Sequence, residues 1–190
     1  MLSVDLGTDS VRVCGPDETA GGLRLHAETA LRPGSGPRHL AFHPDGRTVY
    51  VLHELEPQLT VCRWDPGAGR LEPALEVPLA LEGLPEGVRA YPSAVVAAPD
   101  GSAVWVAVRG ADTIAAFSLA DGADRPRLTG SVPCGGSRPR DLAADPSGRR
   151  LYAANEHSGD VTWFAVDRRT GLPIRAGSVA VPAAACVVFA

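Results

Sequence analysis

Residues 36–54 read GPRHLAFHPDGRTVYVLHE and set Arg38, His39, His43, His53 and Glu54 within one short stretch. Arginine side chains grip carboxylate or phosphate in two-pronged fashion. A carboxylate beside a histidine can move a proton. The same residue types return further on: Arg109 in VRG, Arg140 in RPRD, and Asn155–Glu156 in ANEH. The chemistry they could share is recognition of a small anion coupled to proton transfer, and they need a scaffold that brings distant segments to one place.

Internal repetition supplies that scaffold. PRHLAFHPDGRTVYVLHELEPQLTVCRWD begins at Pro37, PSAVVAAPDGSAVWVAVRGADTIAAFSLA at Pro92, and PRDLAADPSGRRLYAANEHSGDVTWFAVD at Pro139, at offsets of 55 and 47 residues. Tyr50, Trp105 and Tyr152 share a column, as do Pro44, Pro99 and Pro146. A remnant, SVDLGTDSVRVCGPD from Ser3, matches VLHELEPQLTVCRWD at an offset of 48. Within each unit, short runs alternate apolar and polar residues, and HPDG, APDG and DPSG mark hairpin turns. A fourth run follows each time, such as LEPALEVPL. Four antiparallel strands in a unit of about 45 residues make a β-propeller blade.

The expectation is therefore an all-β chain, a partial β-propeller of about four four-stranded antiparallel blades. A blade remnant spans 1–30, blades span 37–82, 92–132 and 139–181, and a closing strand spans 183–190. These units make one partial propeller domain over 1–190. The shape expected is an open crescent with an apolar blade face at each end, so self-association through those faces is expected.

Hairpin counting places the polar residues. With 44–47 as the turn, 43 faces 48 and Arg38 faces His53, beside Glu54. The same count sets Ser93 beside Val108 and Arg109, and Arg140 beside Asn155 and Glu156. With the first strand of each blade lining the axis, Arg38, Glu54, Arg109, Arg140 and Glu156 become a mixed-charge ring at one mouth. Two readings stand side by side. Arg38–Glu54 and Arg140–Glu156 are structural ion pairs, each contributing ~0–1 kcal/mol, or the arginines hold an anionic substrate while a carboxylate transfers a proton. Strand alternation puts His39 on the face opposite Arg38. His43, next to its turn, is expected to make a local hydrogen bond, and Asp5 stands in the column of His53.

Composition narrows the remaining classes. The chain has 190 residues, 45% apolar and 21% charged, with a net charge of −4, so nothing favours a nucleic-acid or membrane-surface partner. MLSVDLGTDS lacks the basic and apolar parts of a signal peptide, and no run of eighteen apolar residues occurs, so a cytoplasmic location is expected. Cys14, Cys62, Cys134 and Cys186 form no CxxC pair. Cys14 and Cys62 stand where other copies place Phe117 and Phe164, which reads as small core residues.

DLGTDSVRV, GPRHLAFHPDGRTVYVLHE, PDGSAVWVAVRGADTIAAF and RPRDLAADPSGRRLYAANEHSGDVTWF resemble the lactonase seven-bladed β-propeller family, which holds the propeller-type 6-phosphogluconolactonases and the 3-carboxymuconate cyclases. The resemblance implies cofactor-free and metal-free hydrolysis of a small anionic sugar lactone by water attack. It gives Glu54 the catalytic position and Arg38, Arg109 and Arg140 substrate-binding positions, with His39, His53, Asn155 and Glu156 as further candidates. It also implies that the chain corresponds to the family's C-terminal part only, truncated before the histidine-bearing strand that normally precedes DLG, with reduced or lost activity. Where the family usually has Asn, this sequence has His53 and Val108; where it often has Glu, Ala94 stands. The alternatives are a non-catalytic propeller fragment acting as an interaction scaffold, and a sugar-phosphate binding module without turnover.

Overall fold

The computed structural model describes residues 1–81, 84 and 86–189; the expected boundaries at 82 and 190 lie outside them. Its fifteen strands form four antiparallel sheets, each running outward from its first strand. β1 (Leu2–Asp5), β2 (Ser10–Asp17) and β3 (Gly22–Ala30) make the first. β4 (Pro37–Phe42), β5 (Thr48–His53), β6 (Gln58–Asp65) and β7 (Arg70–Pro78) make the second. β8 (Tyr91–Ala97), β9 (Ala103–Arg109), β10 (Thr113–Ser118) and β11 (Arg127–Pro133) make the third. β12 (Pro139–Ala144), β13 (Arg150–Asn155), β14 (Asp160–Val166) and β15 (Pro173–Ala180) make the fourth. The chain is thus all-β, an open partial propeller of four blades.

The PDG and PSG turns form because Asp and Gly satisfy different needs. Gly46, Gly101 and Gly148 take left-handed backbone angles, φ 67°, 73° and 66°, that cost a side-chain-bearing residue strain. Asp45 accepts the amides of Arg47 and Thr48, and Asp145 those of Arg149 and Arg150, which closes each hairpin. His43 serves its own turn, its Nδ1 accepting the Asp45 amide at 3.1 Å, and its Nε2 lies 3.2 Å from the Gly101 carbonyl of the next blade.

The cores lie between sheets. One holds Val11, Val49, Val51, Cys62 and Leu71 between blades one and two. A second holds Tyr50, Leu52, Leu59, Val106 and Phe117 between blades two and three, and a third holds Trp105, Ile114, Leu151 and Phe164 between blades three and four. Every residue of β5 and β9 is buried, because a middle blade is covered on both faces. The aromatic column stitches each blade to its successor: the Tyr50 hydroxyl donates to the Ala123 carbonyl (2.7 Å) and Trp105 Nε1 to that of Gly171 (2.8 Å). Cys62 is fully buried, and burial pushes its thiol up to about 12, which leaves it a packing residue.

Two expectations need correction. The hairpin count is off by one residue at the axis end: Pro37, not Arg38, faces His53, Pro92 faces Val108, and Pro139 faces Asn155. Each inner strand carries a bulge directly after its proline, which has no N–H to give the ladder. Arg38, Ser93 and Arg140 are the extra residues; Arg38 and Ser93 reach carbonyls of the next blade, while Arg140 turns to Glu156 in its own blade. Nor, among the described residues, is there a closing strand over 183–189. That tail is held by side-chain contacts on blade four and has no backbone ladder partner.

Candidate active site at the axial mouth

The bulges and the loops after each second strand meet at one mouth of the axis. Glu54 closes β5, and its Oε1 receives Arg109 Nη2 at 2.7 Å, while Oε2 lies 3.4 Å from Arg38 Nε. Arg109 also donates through Nε to the Tyr91 carbonyl (3.2 Å) and through Nη2 to that of Pro92 (3.4 Å). The Arg38 guanidinium bonds the Ser93 carbonyl through Nη1. Ser93 is buried and hands its hydroxyl to the Pro139 carbonyl at 2.5 Å. Three blades are thereby linked bulge to bulge, and the arginine heads are fixed before any ligand arrives.

Arg140 reaches Glu156 at 3.3 Å, the expected pair, and stays more open, with 41% of its side chain exposed against 8% for Arg109. Burial first, then the charges of Arg109 and Arg140, push Arg38 below its ordinary pKa, with Glu54 opposing. Arg38 thus lies in the field of two further guanidinium groups, with Glu54 and Asp141 as the opposing carboxylates. An arriving anion would relieve the crowding around Arg38.

The other candidates sit differently. His39 shares the mouth, but its Nδ1 accepts the Val95 amide at 3.1 Å, capping the open edge of β8, and burial lowers its pKa. His53 is fully buried behind the loop, with Nε2 on the Thr60 hydroxyl at 2.7 Å and its pKa lowered to about 4 by burial and the charge of Arg32. Asn155 makes the same contact one column-mate over, to Thr162 at 3.2 Å, and is equally buried. Asp5 is drawn off to Arg12 at 2.7 Å.

Residue pattern missed two parts of the site. Tyr91 offers its ring to two cations, its centre 5.3 Å from the Arg89 guanidinium and 6.0 Å from that of Arg109. Asp9 and Asp112 clamp the mouth loops: Asp9 accepts the Gly34 and Gly36 amides, and Asp112 the Arg138 amide and the Ser137 hydroxyl. Their shared repeat column was a readable signal. Tyr91 stands where the other copies have Gly36 and Arg138, so no column announces it.

A blade array with fixed arginines around a carboxylate at its axial mouth defines the class. The family model described as "Lactonase, 7-bladed beta-propeller" matches residues 1–189, and the chain belongs to that family. The expectation that the chain corresponds to the family's C-terminal part only is corrected by this match, which takes in nearly the whole chain. The 6-phosphogluconolactonase of Bacillus subtilis (strain 168) is 32% identical over 190 residues, covering 100% of this chain and 53% of that protein. A solved protein from Lactobacillus plantarum superposes with a TM-score of 0.88 at 28% identity, over 97% of this chain and 53% of that one. The periplasmic gluconolactonase of Pseudomonas aeruginosa gives a TM-score of 0.84 at 32% identity, over 96% of this chain and 51% of that one. The chain spans about half the length of the curated relatives it matches.

Proposed function

We propose that the axial mouth binds a small anionic sugar lactone, of the 6-phosphogluconolactone kind, and opens its ring by attack of water. The observation that carries this is the shared grip of Arg38 and Arg109 on Glu54. Arg38 Nη2, Arg109 Nη1 and most of Arg140 point no bond at the described residues, so they are the groups to receive a phosphate or carboxylate. The looser 3.4 Å contact yields first. As the anion takes up Arg38, Glu54 Oε2 is released to accept a proton from the attacking water. The water oxygen bonds to the lactone carbonyl carbon, the developing oxyanion is balanced by arginine charge, the ring C–O bond breaks, and the proton passes to the freed ring oxygen. The names of relatives that are 6-phosphogluconolactonases or a gluconolactonase support this choice of substrate.

A second reading, an anion-binding module without turnover, is favoured by the engagement of His39 and His53 elsewhere. Hydrolysis of freshly generated 6-phosphogluconolactone, followed by acid release near neutral pH against the spontaneous rate, decides between them. Turnover above background that Glu54→Gln and Arg109→Ala each cut by about 100-fold or more supports catalysis. A background rate in folded protein that inorganic phosphate still protects against heat selects the binding module.

A further inference from the structure

We infer that the groove between blades three and four, on the side away from the axial mouth, is a second ligand site. It takes a small molecule with two anionic groups on a hydroxyl-bearing backbone, of the sugar-bisphosphate kind. The inference is independent of any activity at the mouth. Ser102 precedes β9 and Arg109 ends it, so the seven residues of that strand hold groove and mouth about 20 Å apart.

The groove is a built cavity between two blades that share a core. It encloses about 520 Å³, a size suited to a small organic ligand. Asp100, Ser102 and Ser118 line it from blade three, and Arg149, Arg168 and Arg169 from blade four. Direct contact between the blades closes the floor. Trp105 Nε1 donates to the Gly171 carbonyl at 2.8 Å, and a Cβ at Gly148 or Gly171 would stand 3.3 Å from Pro99 or Ala103.

The turn carboxylates are engaged, and the arginines are not. Asp100 Oδ1 accepts the amide and hydroxyl of Ser102, and Asp167 Oδ1 accepts the Arg169 amide. Asp145 takes the amides of Arg149 and Arg150 and the hydroxyl of Ser147. Among the described residues none of the three guanidinium groups enters an ion pair, and only Arg149 makes a side-chain hydrogen bond, from Nε to Ser147 Oγ at 3.3 Å. The Val166 amide bonds the Arg149 carbonyl at 3.0 Å, which sets the turn of Arg168 and Arg169 beside Arg149. The hydroxyl and amide of Ser102 first, and the charge of Arg168 across the groove after them, hold Asp100 below its ordinary pKa.

Groups for ligand hydroxyls face the cations. Asp100 Oδ2 takes no hydrogen bond from the described residues. Ser118 Oγ accepts the Ala120 amide at 3.2 Å and keeps its proton to donate. Blade architecture does not demand the arginines: blade three has Ser102 and Asp121 in the columns of Arg149 and Arg168, and blade two has Arg47 and Pro66. Because the three arginines are exposed, one ionic contact there is worth little by itself. An anion that engages both turns at once gains from each, so the groove selects two linked charges over one compact anion.

The three tryptophans give three indole N–H resonances, and single Trp64→Phe and Trp163→Phe substitutions identify that of Trp105, which reports on the Gly171 turn. In an Arg38→Ala chain, where the mouth is disabled, millimolar fructose 1,6-bisphosphate should shift this resonance saturably. Inorganic phosphate and potassium chloride at equal ionic strength should not. Arg149→Ala combined with Arg168→Ala should weaken the response about tenfold or more while the dispersed spectrum of folded protein persists. Arg168→Asp, which copies Asp121, should do the same. Absence of a saturable shift with the bisphosphate overturns the inference. So does an equal response to phosphate or chloride, or a response undiminished by the arginine substitutions.

Discussion

Glu54 is surrounded by arginine rather than by histidine, and this decides which substitutions should matter. Truncating Arg109 removes the 2.7 Å contact and leaves Glu54 to Arg38 alone, so Arg109→Ala should weaken anion binding as well as any turnover. Inorganic phosphate at about 100 times its dissociation constant should stabilise the wild type by about 2.7 kcal/mol, read as a rise in Tm, and Arg38→Ala should abolish that rise. His53 makes a separate prediction. Its folded pKa, about 4, lies below the ordinary value of 6.5, so the unfolded chain binds the proton more readily. The stability it contributes is complete above about pH 6.5 and is lost as the pH falls towards 4, a change on the order of 2–3 kcal/mol. His53→Asn, which copies Asn155, should flatten that part of the stability–pH curve in denaturant titrations.

Loops and bulges carry the site, and they depend on a few backbone-satisfying residues. Asp112 takes an amide and a hydroxyl from the segment before β12, and Asp112 itself has a left-handed φ of 51°. Asp112→Ala should cost about 1–2 kcal/mol of stability by denaturant unfolding and leave blade four less firmly joined to blade three. Gly110 is stricter still. Its φ is 85°, and a Cβ there would run into the Arg89 carbonyl, so Gly110→Ala strains the backbone directly after Arg109. The expected outcome is a loss of about 2 kcal/mol or more together with loss of the Arg109 contribution to ligand protection. The bulged strands show why the element scale was only partly legible. Repeats and turn residues located every hairpin, yet the one-residue shift after Pro37, Pro92 and Pro139 appears only when the missing proline N–H meets the ladder.

Across the whole molecule, stability resides in contacts between blades, so the number of covered faces sets how much each blade holds. Cores one to three are internal, and the outer faces of blades one and four are uncovered.

Periodicity and turn chemistry were enough to determine the blades, because an alternating strand with a PDG turn has one satisfactory way to bury its apolar face. The repeat columns likewise determined that Arg38, Glu54, Arg109, Arg140 and Glu156 gather at one mouth. The pairs within one hairpin, Arg38–Glu54 and Arg140–Glu156, were legible there too, and the partners taken across blades were decided by tertiary structure. Arg109 has no acid in its own hairpin and finds Glu54 in the blade before it, while His39 and His53 are drawn into capping and burial. Packing angle and open strand edges between blades set those pairings, and neither is written in the local pattern of any one segment.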